Sequence, residues 1–392
     1  MVFSFYSEIG DLGEIGCRFH QNMLFHCSMK PYDRMKEVEF QLAHALRAQL
    51  ERIPALDINS LEVEGERRKA PNDSLHEIDI LVDVTLDGRS TTLICEVKEP
   101  GYPRQVRSAI NQLHSYMTMN RTLAVPLVGA SWLSLDSRHL CERAGVGWID
   151  LAGNCRIAFE GVYIERETAE RPKPAARNFR AVFSPKAGQV LRTLLRDPSR
   201  PWKVTDLAEA SGVSLGHVSN VRTALIDREW ATADDDGLRL TSPNALLDAW
   251  RDDYEPVRGK RTSWYTTLHG RELEQILRNT LNAPSFDGRA MLGGLSAAHW
   301  LAPYVRGNTT MLYADNQAIP ALANALRLRT AKSGANVEIV ELDDTAILKE
   351  RVENPGAPPV SSPVQTYLDL WHLDDRGREA ADHLREKLLT WH

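Results

Sequence analysis

Three charged side chains, Asp79, Glu96 and Lys98, stand within two otherwise apolar stretches that are joined by "DGRS". The alternation of apolar and polar residues predicts an antiparallel hairpin with a turn at the Asp-Gly pair. With a centred four-residue turn, Asp79 lies opposite Lys98, and Glu96 shares the face of Lys98 because side chains alternate along a strand. The three charges are therefore expected to cluster at the open end of one face.

Two carboxylates held a few ångströms apart repel each other unless a positive group lies between them. Mg²⁺ or Mn²⁺ binds through carboxylate oxygens, lowers the pKa of a bound water and stabilises charge on a phosphorane-like transition state. The pattern thus predicts phosphodiester hydrolysis, with the metal on Asp79 and Glu96 and with Lys98 assisting the attacking water. Glu77 and Asp83 share the face of Asp79, either as further ligands or as solvent-facing groups. The alternative is a simple Asp79–Lys98 ion pair on a solvated sheet face.

At these residues the sequence resembles the PD-(D/E)xK nuclease superfamily, which has the restriction-endonuclease-like fold. "EVK" matches its E-x-K triplet, "QLHSY" matches the QxxxY helix of RecB-like members, and "VEF" resembles the helical acid of Mrr-like members. The resemblance covers residues 30–165 approximately. It implies a deoxyribonuclease site whose catalytic residues are Asp79, Glu96, Lys98, Gln112, Tyr116 and Glu39.

The elements expected to position this site form an α/β layer pattern within residues 1–170. A helix with apolar residues at helical spacing precedes the hairpin, and helices and strands alternate after it. Arg104 and Arg107 begin the helix that follows the E-x-K strand. They are candidate contacts to DNA phosphate, or simply the charged surface of a helix start.

A basic, proline-containing segment at 170–180 predicts a linker, and residues 181–255 resemble a winged helix-turn-helix. The resemblance implies a first helix at 185–196, a third helix capped by Ser214 and a two-stranded wing. Three apolar residues of the third helix are expected to face inward: Val218, Val221 and Leu225. The N-terminal half of this helix enters the DNA major groove in members that bind DNA. Candidate contacts are His217, Ser219, Asn220 and Arg222.

Charge weakens the case for DNA binding. The chain carries 47 Lys and Arg against 53 Asp and Glu, a net charge of −6. Residues 181–258 contain ten basic against twelve acidic residues, and the wing tip is the triplet Asp234–Asp236. Such a tip repels phosphate, so a protein-contact role for the winged helix is the alternative.

The third region, 264–392, is predicted to be a C-terminal domain of mixed helix and strand, of α+β or α/β type. Residues 291–315 faintly resemble the C-terminal part of abortive-infection type IV antitoxins, which also carry a winged helix. The role of this domain is open, with formation of a homodimer or contact with a partner protein as the candidates.

Composition is that of a globular protein, with 43% hydrophobic and 26% charged residues. The N-terminus lacks the basic flank and long apolar run of a signal peptide, and no apolar run is long enough to span a membrane, so a cytoplasmic location is expected.

The five scattered cysteines contain no CxxC pair, which favours reduced thiols. "CRFHQNMLFHC" holds four possible zinc ligands, but their spacing matches no zinc-finger pattern.

Taken together, the sequence predicts a DNA-acting protein, with a metal-dependent endonuclease domain that is targeted by a winged helix. The alternative is a non-catalytic DNA-binding regulator or antitoxin-like protein that keeps a nuclease fold as a binding platform. DNA is the expected partner under both hypotheses, and neither hypothesis involves a membrane.

Overall fold

The computed structural model describes residues 31–63, 78–168, 181–305 and 307–391, which form a mixed α/β protein. The predicted linker at 170–180, Glu77 and the cysteine–histidine segment 17–27 lie outside the described residues. The chain divides into two compact units. The first unit contains Met1–Glu99, Ala109–Ser131 and Gly145–Glu167. The second contains Pro100–Ser108, Trp132–Ala144 and Thr168–His392.

The helices of the described residues are Pro31–Leu50 (α1), Pro103–Asn120 (α2), Leu135–Arg143 (α3), Pro185–Arg196 (α4), Val204–Ser211 (α5), Leu215–Asp227 (α6), Pro243–Asp252 (α7), Gly270–Leu281 (α8), Gly294–Leu301 (α9), Ala318–Ala325 (α10), Pro363–Trp371 (α11) and Asp375–Leu388 (α12). The strands are Leu56–Val63 (β1), Ile80–Leu86 (β2), Arg89–Val97 (β3), Val125–Ala130 (β4), Gly147–Asp150 (β5), Cys155–Phe159 (β6), Val162–Arg166 (β7), Ala231–Asp234 (β8), Gly237–Leu240 (β9), Gly259–Tyr265 (β10), Ala290–Leu292 (β11), Thr310–Ala314 (β12), Arg329–Thr330 (β13) and Val337–Leu342 (β14). None of these helices is both long enough and apolar enough to cross a membrane.

The first unit is built on a seven-stranded sheet whose strands β1 to β7 follow chain order. Strand β3 pairs in parallel with β4, and β4 with β5, while the remaining pairs are antiparallel. Helix α1 belongs to the same apolar core as the sheet through Leu42, Leu46 and Leu50, which recur at helical spacing. Cys95 and Val97 are buried in that core, as predicted from the alternation along β3.

The second unit contains α4 to α6, the β8–β9 hairpin and a five-stranded sheet. Its strand order is β11-β12-β14-β10-β13, in which β12 and β14 are parallel neighbours. The predicted third helix is present as α6, and its residues Val218, Val221 and Leu225 are buried as expected. Gly212 ends α5 in the left-handed conformation (φ +68°), which allows the sharp turn before α6.

One continuous apolar core joins the two regions that the sequence assigned to residues 181–255 and 264–392. It contains residues of α4 to α7 together with Ala298, Tyr367 and Leu384, which come from the third region. Because these side chains are buried against one another, cutting the chain between the two regions would expose apolar surface on both sides.

A buried polar network also connects α4 with α11. Arg192 forms an ion pair with Glu350 and donates to Gln365 Oε1 at 3.1 Å. Gln365 Nε2 in turn donates to the hydroxyl of Tyr254 at 2.7 Å and to Asp369 Oδ1 at 2.9 Å. Buried polar groups are expensive unless they are paired, so this network fixes α4 on the C-terminal region in one arrangement.

Candidate functional site

The β2–β3 turn contains two residues rather than the four that were predicted. Asp87 and Gly88 both have positive φ values, +48° and +79°, which is the conformation of a type I′ hairpin turn. Leu86 therefore pairs with Arg89, and continuing this register places Asp79 opposite Glu96. The predicted pairing of Asp79 with Lys98 is wrong. The error is two residues along one strand, so the predicted shared face is unaffected.

Each acid of this hairpin end is bound by a donor from the protein itself. The backbone N–H of Val97 donates to Asp79 Oδ2 at 2.6 Å, and Lys98 Nζ donates to Glu96 Oε1 at 2.6 Å. Glu96 is only 4% exposed, whereas the Lys98 side chain keeps 22% of its surface in contact with solvent. The lysine therefore neutralises a nearly buried carboxylate, which would be costly to leave unpaired.

Two further acids near this face are occupied in maintaining the fold. Asp83 accepts hydrogen bonds from Ser60 Oγ at 2.9 Å and Thr92 Oγ1 at 2.6 Å. Asp150, at the end of β5, accepts from the backbone N–H of Asn154 at 3.0 Å and from its side-chain amide, which closes the turn between β5 and β6. Neither carboxylate is therefore a ready additional metal ligand.

Of the remaining predicted catalytic residues, Glu39 lies on α1 and is 4% exposed. Gln112 and Tyr116 lie one turn apart on α2 and are half-buried, as the QxxxY spacing predicts. The Oε1 atom of Gln112 is buried without a hydrogen-bond donor among the described residues. These positions are compatible with a site in the first unit, although no described hydrogen bond links Gln112 or Tyr116 to the hairpin acids.

Whether a divalent cation can bind at this end of the hairpin depends on the acidic side chains that lie there. Within residues 31–63, 78–168, 181–305 and 307–391, no group of three or more His, Cys, Asp or Glu side chains is arranged to hold a metal. Asp79 and Glu96 form a pair, and both are engaged by donors from β3 and Lys98. If Mg²⁺ or Mn²⁺ binds here, Asp79 and Glu96 are the carboxylates that would hold it. The cluster stabilises the end of the hairpin.

The second candidate surface is the outer face of α6 in the second unit. Ser219 and Asn220 are exposed, Thr223 is exposed one turn later, and Arg222 is half-buried. His217 was also predicted to contact DNA, but its Nε2 atom is buried and it lines a cavity of the second unit. Of the four predicted contacts on this helix, Ser219 and Asn220 are therefore the most accessible.

The two arginines predicted to hold phosphate are engaged with acids at the end of α6. Arg107 makes two hydrogen bonds to Glu229, at 2.9 and 2.8 Å, and Arg104 lies 3.7 Å from Asp227. The hydrogen bonds from Arg107 lower the pKa of Glu229. Sequence spacing could not reveal this pairing because its partners are 122 residues apart. Both arginine side chains remain more than half exposed, so these ion pairs reduce the local positive charge without closing off either guanidinium.

The wing between β8 and β9 is short and acidic, as the sequence indicates. Asp234 Oδ1 accepts from the backbone N–H groups of Asp236 at 3.0 Å and Gly237 at 3.2 Å, so its carboxylate shapes the turn. Asp235 and Asp236 are exposed at the tip. This tip is poorly suited to a phosphate contact, which leaves α6 as the better candidate surface for DNA.

Comparison with known families gives one match, in the C-terminal part of the chain. Residues 239–390, less than half of the chain, match the family described as transcriptional regulator, AbiEi antitoxin, of a type IV toxin–antitoxin system. A search of curated proteins gives no match. The family match agrees with the faint antitoxin resemblance seen at residues 291–315, and it lends no support to nuclease activity. The C-terminal region of this protein is therefore similar to antitoxin-type transcriptional regulators.

Proposed function

We propose that this protein is a DNA-binding transcriptional regulator of the antitoxin type. Residues 185–240 act as a winged helix-turn-helix, and the exposed residues of α6 contact DNA. The first unit, with a restriction-endonuclease-like fold, acts as a binding platform rather than as an enzyme. This is the alternative that the sequence offered, and the family match over residues 239–390 supports it over cleavage.

The observation that carries the proposal is the division of α6 into two faces. Val218, Val221 and Leu225 are buried in the core of the second unit, while Ser219 and Asn220 are exposed on the other side. A recognition helix needs this arrangement, since one face must anchor the helix and the other must reach base edges. Asparagine is suited to adenine, whose N6 and N7 atoms match the donor and acceptor of the amide.

The test uses the full-length chain, because the core around α4 to α7 includes residues of α9, α11 and α12. DNA duplexes are first selected by this protein from a pool of randomised sequence. The selected duplexes are then titrated with the protein at several salt concentrations, and binding is followed by fluorescence anisotropy. We expect salt-sensitive, sequence-specific binding. Loss of a base contact in Asn220→Ala should weaken binding to the selected sequence about tenfold or more.

Asn324→Ala is the matched control, because Asn324 is exposed on α10, outside the proposed DNA-contacting helix. It should bind DNA as the unaltered protein does. If the pool yields no enriched sequence, or if Asn220→Ala and Asn324→Ala behave alike, DNA recognition by α6 is excluded.

A metal-dependent nuclease is the second candidate, because β2 and β3 bring Asp79, Glu96 and Lys98 to the same end of the hairpin. Nicking of supercoiled plasmid is measured with Mg²⁺ and with Mn²⁺, and Lys98→Ala is compared with Lys186→Ala, a surface lysine of the second unit. Cutting that is lost only in Lys98→Ala would establish the enzyme. Absence of cutting with either metal would leave the regulator as the function.

We propose that the C-terminal region contacts a second copy of the chain or another protein. Light scattering on the purified chain measures its mass in solution. A mass twice that of the 44.1 kDa chain would identify a homodimer.

A further inference from the structure

A cavity of about 780 Å³ lies within the second unit, beside α4. Its lining comes from α4 and the residues just before it, from the end of α7 and the segment that follows it, and from the segment after β14, with His217 of α6 and Gln365 of α11. This volume falls within the range of pockets that enclose small organic ligands. Neither the family match nor the proposed DNA contact of Ser219 and Asn220 uses this space.

Aromatic side chains supply much of the apolar lining. Phe183, Trp250 and Tyr254 all border the cavity. The rings of Phe183 and Trp250 are stacked, with centroids 6.0 Å apart and planes inclined by 8°. Because these two rings stack on each other, a planar ligand ring would contact them mainly at their edges, in the edge-to-face arrangement that aromatic pairs also favour.

The polar feature of the cavity is the amide of Gln189 on α4. Gln189 is only 6% exposed, lines the cavity, and its side chain forms no hydrogen bond within the described part of the chain. Because neither amide atom is among the buried polar atoms that lack a partner, the amide keeps some contact with solvent, which at a cavity-lining residue leaves it open to a ligand. The amide presents one acceptor and one donor group, which complement the adjacent donor and acceptor on the edge of a nitrogen heterocycle.

The charges around the cavity indicate whether that ligand carries charge. Its lining includes four carboxylates: Asp253, Glu255, Asp343 and Asp344. The basic side chains that oppose them in the lining are Lys186 and Arg258. Arg192 also lines the cavity, but its guanidinium is neutralised by Glu350. The excess of carboxylates disfavours an anion such as a phosphate ester.

We infer that this cavity binds an uncharged planar nitrogen heterocycle of nucleobase or nucleoside size. The ring packs against Phe183 and Trp250, and its polar edge bonds to the Gln189 amide. His217, which belongs to α6, borders the same cavity and has a buried Nε2 atom with no hydrogen-bond partner among the described residues. A bound ligand would therefore lie beside the helix proposed to contact DNA and could change its affinity for DNA. This regulatory effect rests on the proposed function.

Isothermal titration calorimetry with the full-length chain tests the site without DNA. Adenosine, guanosine, cytidine and uridine are the probes, and each is compared with its 5′-monophosphate. We expect at least one nucleoside to bind with a Kd below about 1 mM, more tightly than its monophosphate. Absence of nucleoside binding at that concentration, or tighter binding of the monophosphate, would overturn the assignment.

The Gln189→Leu variant should weaken nucleoside binding about tenfold, because it removes the amide and keeps the side chain's size. Gln275→Leu makes the same change at an exposed position of the second unit and should leave affinity unchanged. If Gln189→Leu does not fold, Phe183→Leu replaces it and should also weaken binding. Equal affinity of the cavity variant and Gln275→Leu contradicts the inference.

The regulatory step is tested separately, by repeating the DNA titration with a saturating amount of the bound nucleoside. A change of threefold or more in DNA affinity that is absent in Gln189→Leu would establish the coupling. A protein that binds nucleoside but no DNA would refute the proposed function and leave the cavity assignment standing.

Discussion

Replacing Arg192 by methionine is expected to lower the free energy of unfolding of the second unit by about 3 kcal/mol. The Arg192 side chain is 8% exposed and its partner Glu350 is 11% exposed, so the ion pair is largely shielded from water. Methionine keeps the length of the aliphatic chain but leaves the Glu350 carboxylate without its cation and Gln365 Oε1 without its donor. Breaking a buried pair costs about 3–5 kcal/mol, and the remaining solvent contact of Glu350 favours the lower value.

The measurement is urea unfolding followed by tryptophan fluorescence, for which Trp202, Trp230 and Trp250 in the core of the second unit are suitable reporters. For a unit of this size, a loss of about 3 kcal/mol corresponds to a fall of roughly 6–12 °C in Tm. The double variant Arg192→Met, Glu350→Leu should recover part of the loss, because it leaves no unpaired buried charge.

Arg196→Met is the matched control, since Arg196 lies one turn further along α4 and is exposed. It should change stability by no more than about 0.5 kcal/mol. A loss below about 1 kcal/mol for Arg192→Met, or equal effects at the two positions, would refute the reasoning that this pair fixes α4 on the C-terminal region.

Burial raises the pKa of Asp369, despite the hydrogen bonds that it accepts, so protonation favours the folded chain as the pH falls toward that raised pKa. The stability of the unaltered protein relative to Asp369→Asn should therefore rise as the pH falls through the raised pKa toward the ordinary range of a carboxyl group, by no more than about 1.4 kcal/mol per pH unit, and a flat difference in urea unfolding would contradict this. Gly237→Ala should destabilise the second unit by about 2 kcal/mol or more, because φ is +134° and the new Cβ would lie 2.5 Å from the carbonyl oxygen of Trp202. Gly216→Ala, in open space on α6, should be neutral or stabilising, and equal melting temperatures for the two variants would refute the argument. Burial raises the pKa of Cys141 to about 12, so a thiol reagent at about pH 8 should modify it only after denaturation; labelling of the native protein, read by peptide mapping, would show otherwise.

Local sequence was sufficient for the features that depend on neighbouring residues. The Asp87-Gly88 pair marked the hairpin, and the alternation along β3 correctly assigned Cys95 and Val97 to the core. The spacing of Val218, Val221 and Leu225 likewise identified the buried face of α6. These predictions succeed because turn conformation and hydrophobic periodicity are set by residues a few positions apart.

The register of the hairpin does not follow from local sequence, because "DGRS" allows turns of two or four residues. The positive φ values at Asp87 and Gly88 select the shorter turn, which changes the partner of Asp79 from Lys98 to Glu96. The sequence identified which charges share a face, but the backbone conformation of the turn decided which of them are opposed.

The sequence by itself determined the elements and their apolar faces, and it singled out the charged hairpin and the exposed part of α6. Only the tertiary structure decided which polar groups are already engaged. Arg107 is paired with Glu229 and Arg192 with Glu350, across 122 and 158 residues of chain. The cavity beside Gln189 likewise forms from segments far apart in sequence. The physical reason is that the partners of a charge or an amide are set by packing in three dimensions, which no local pattern of residues encodes.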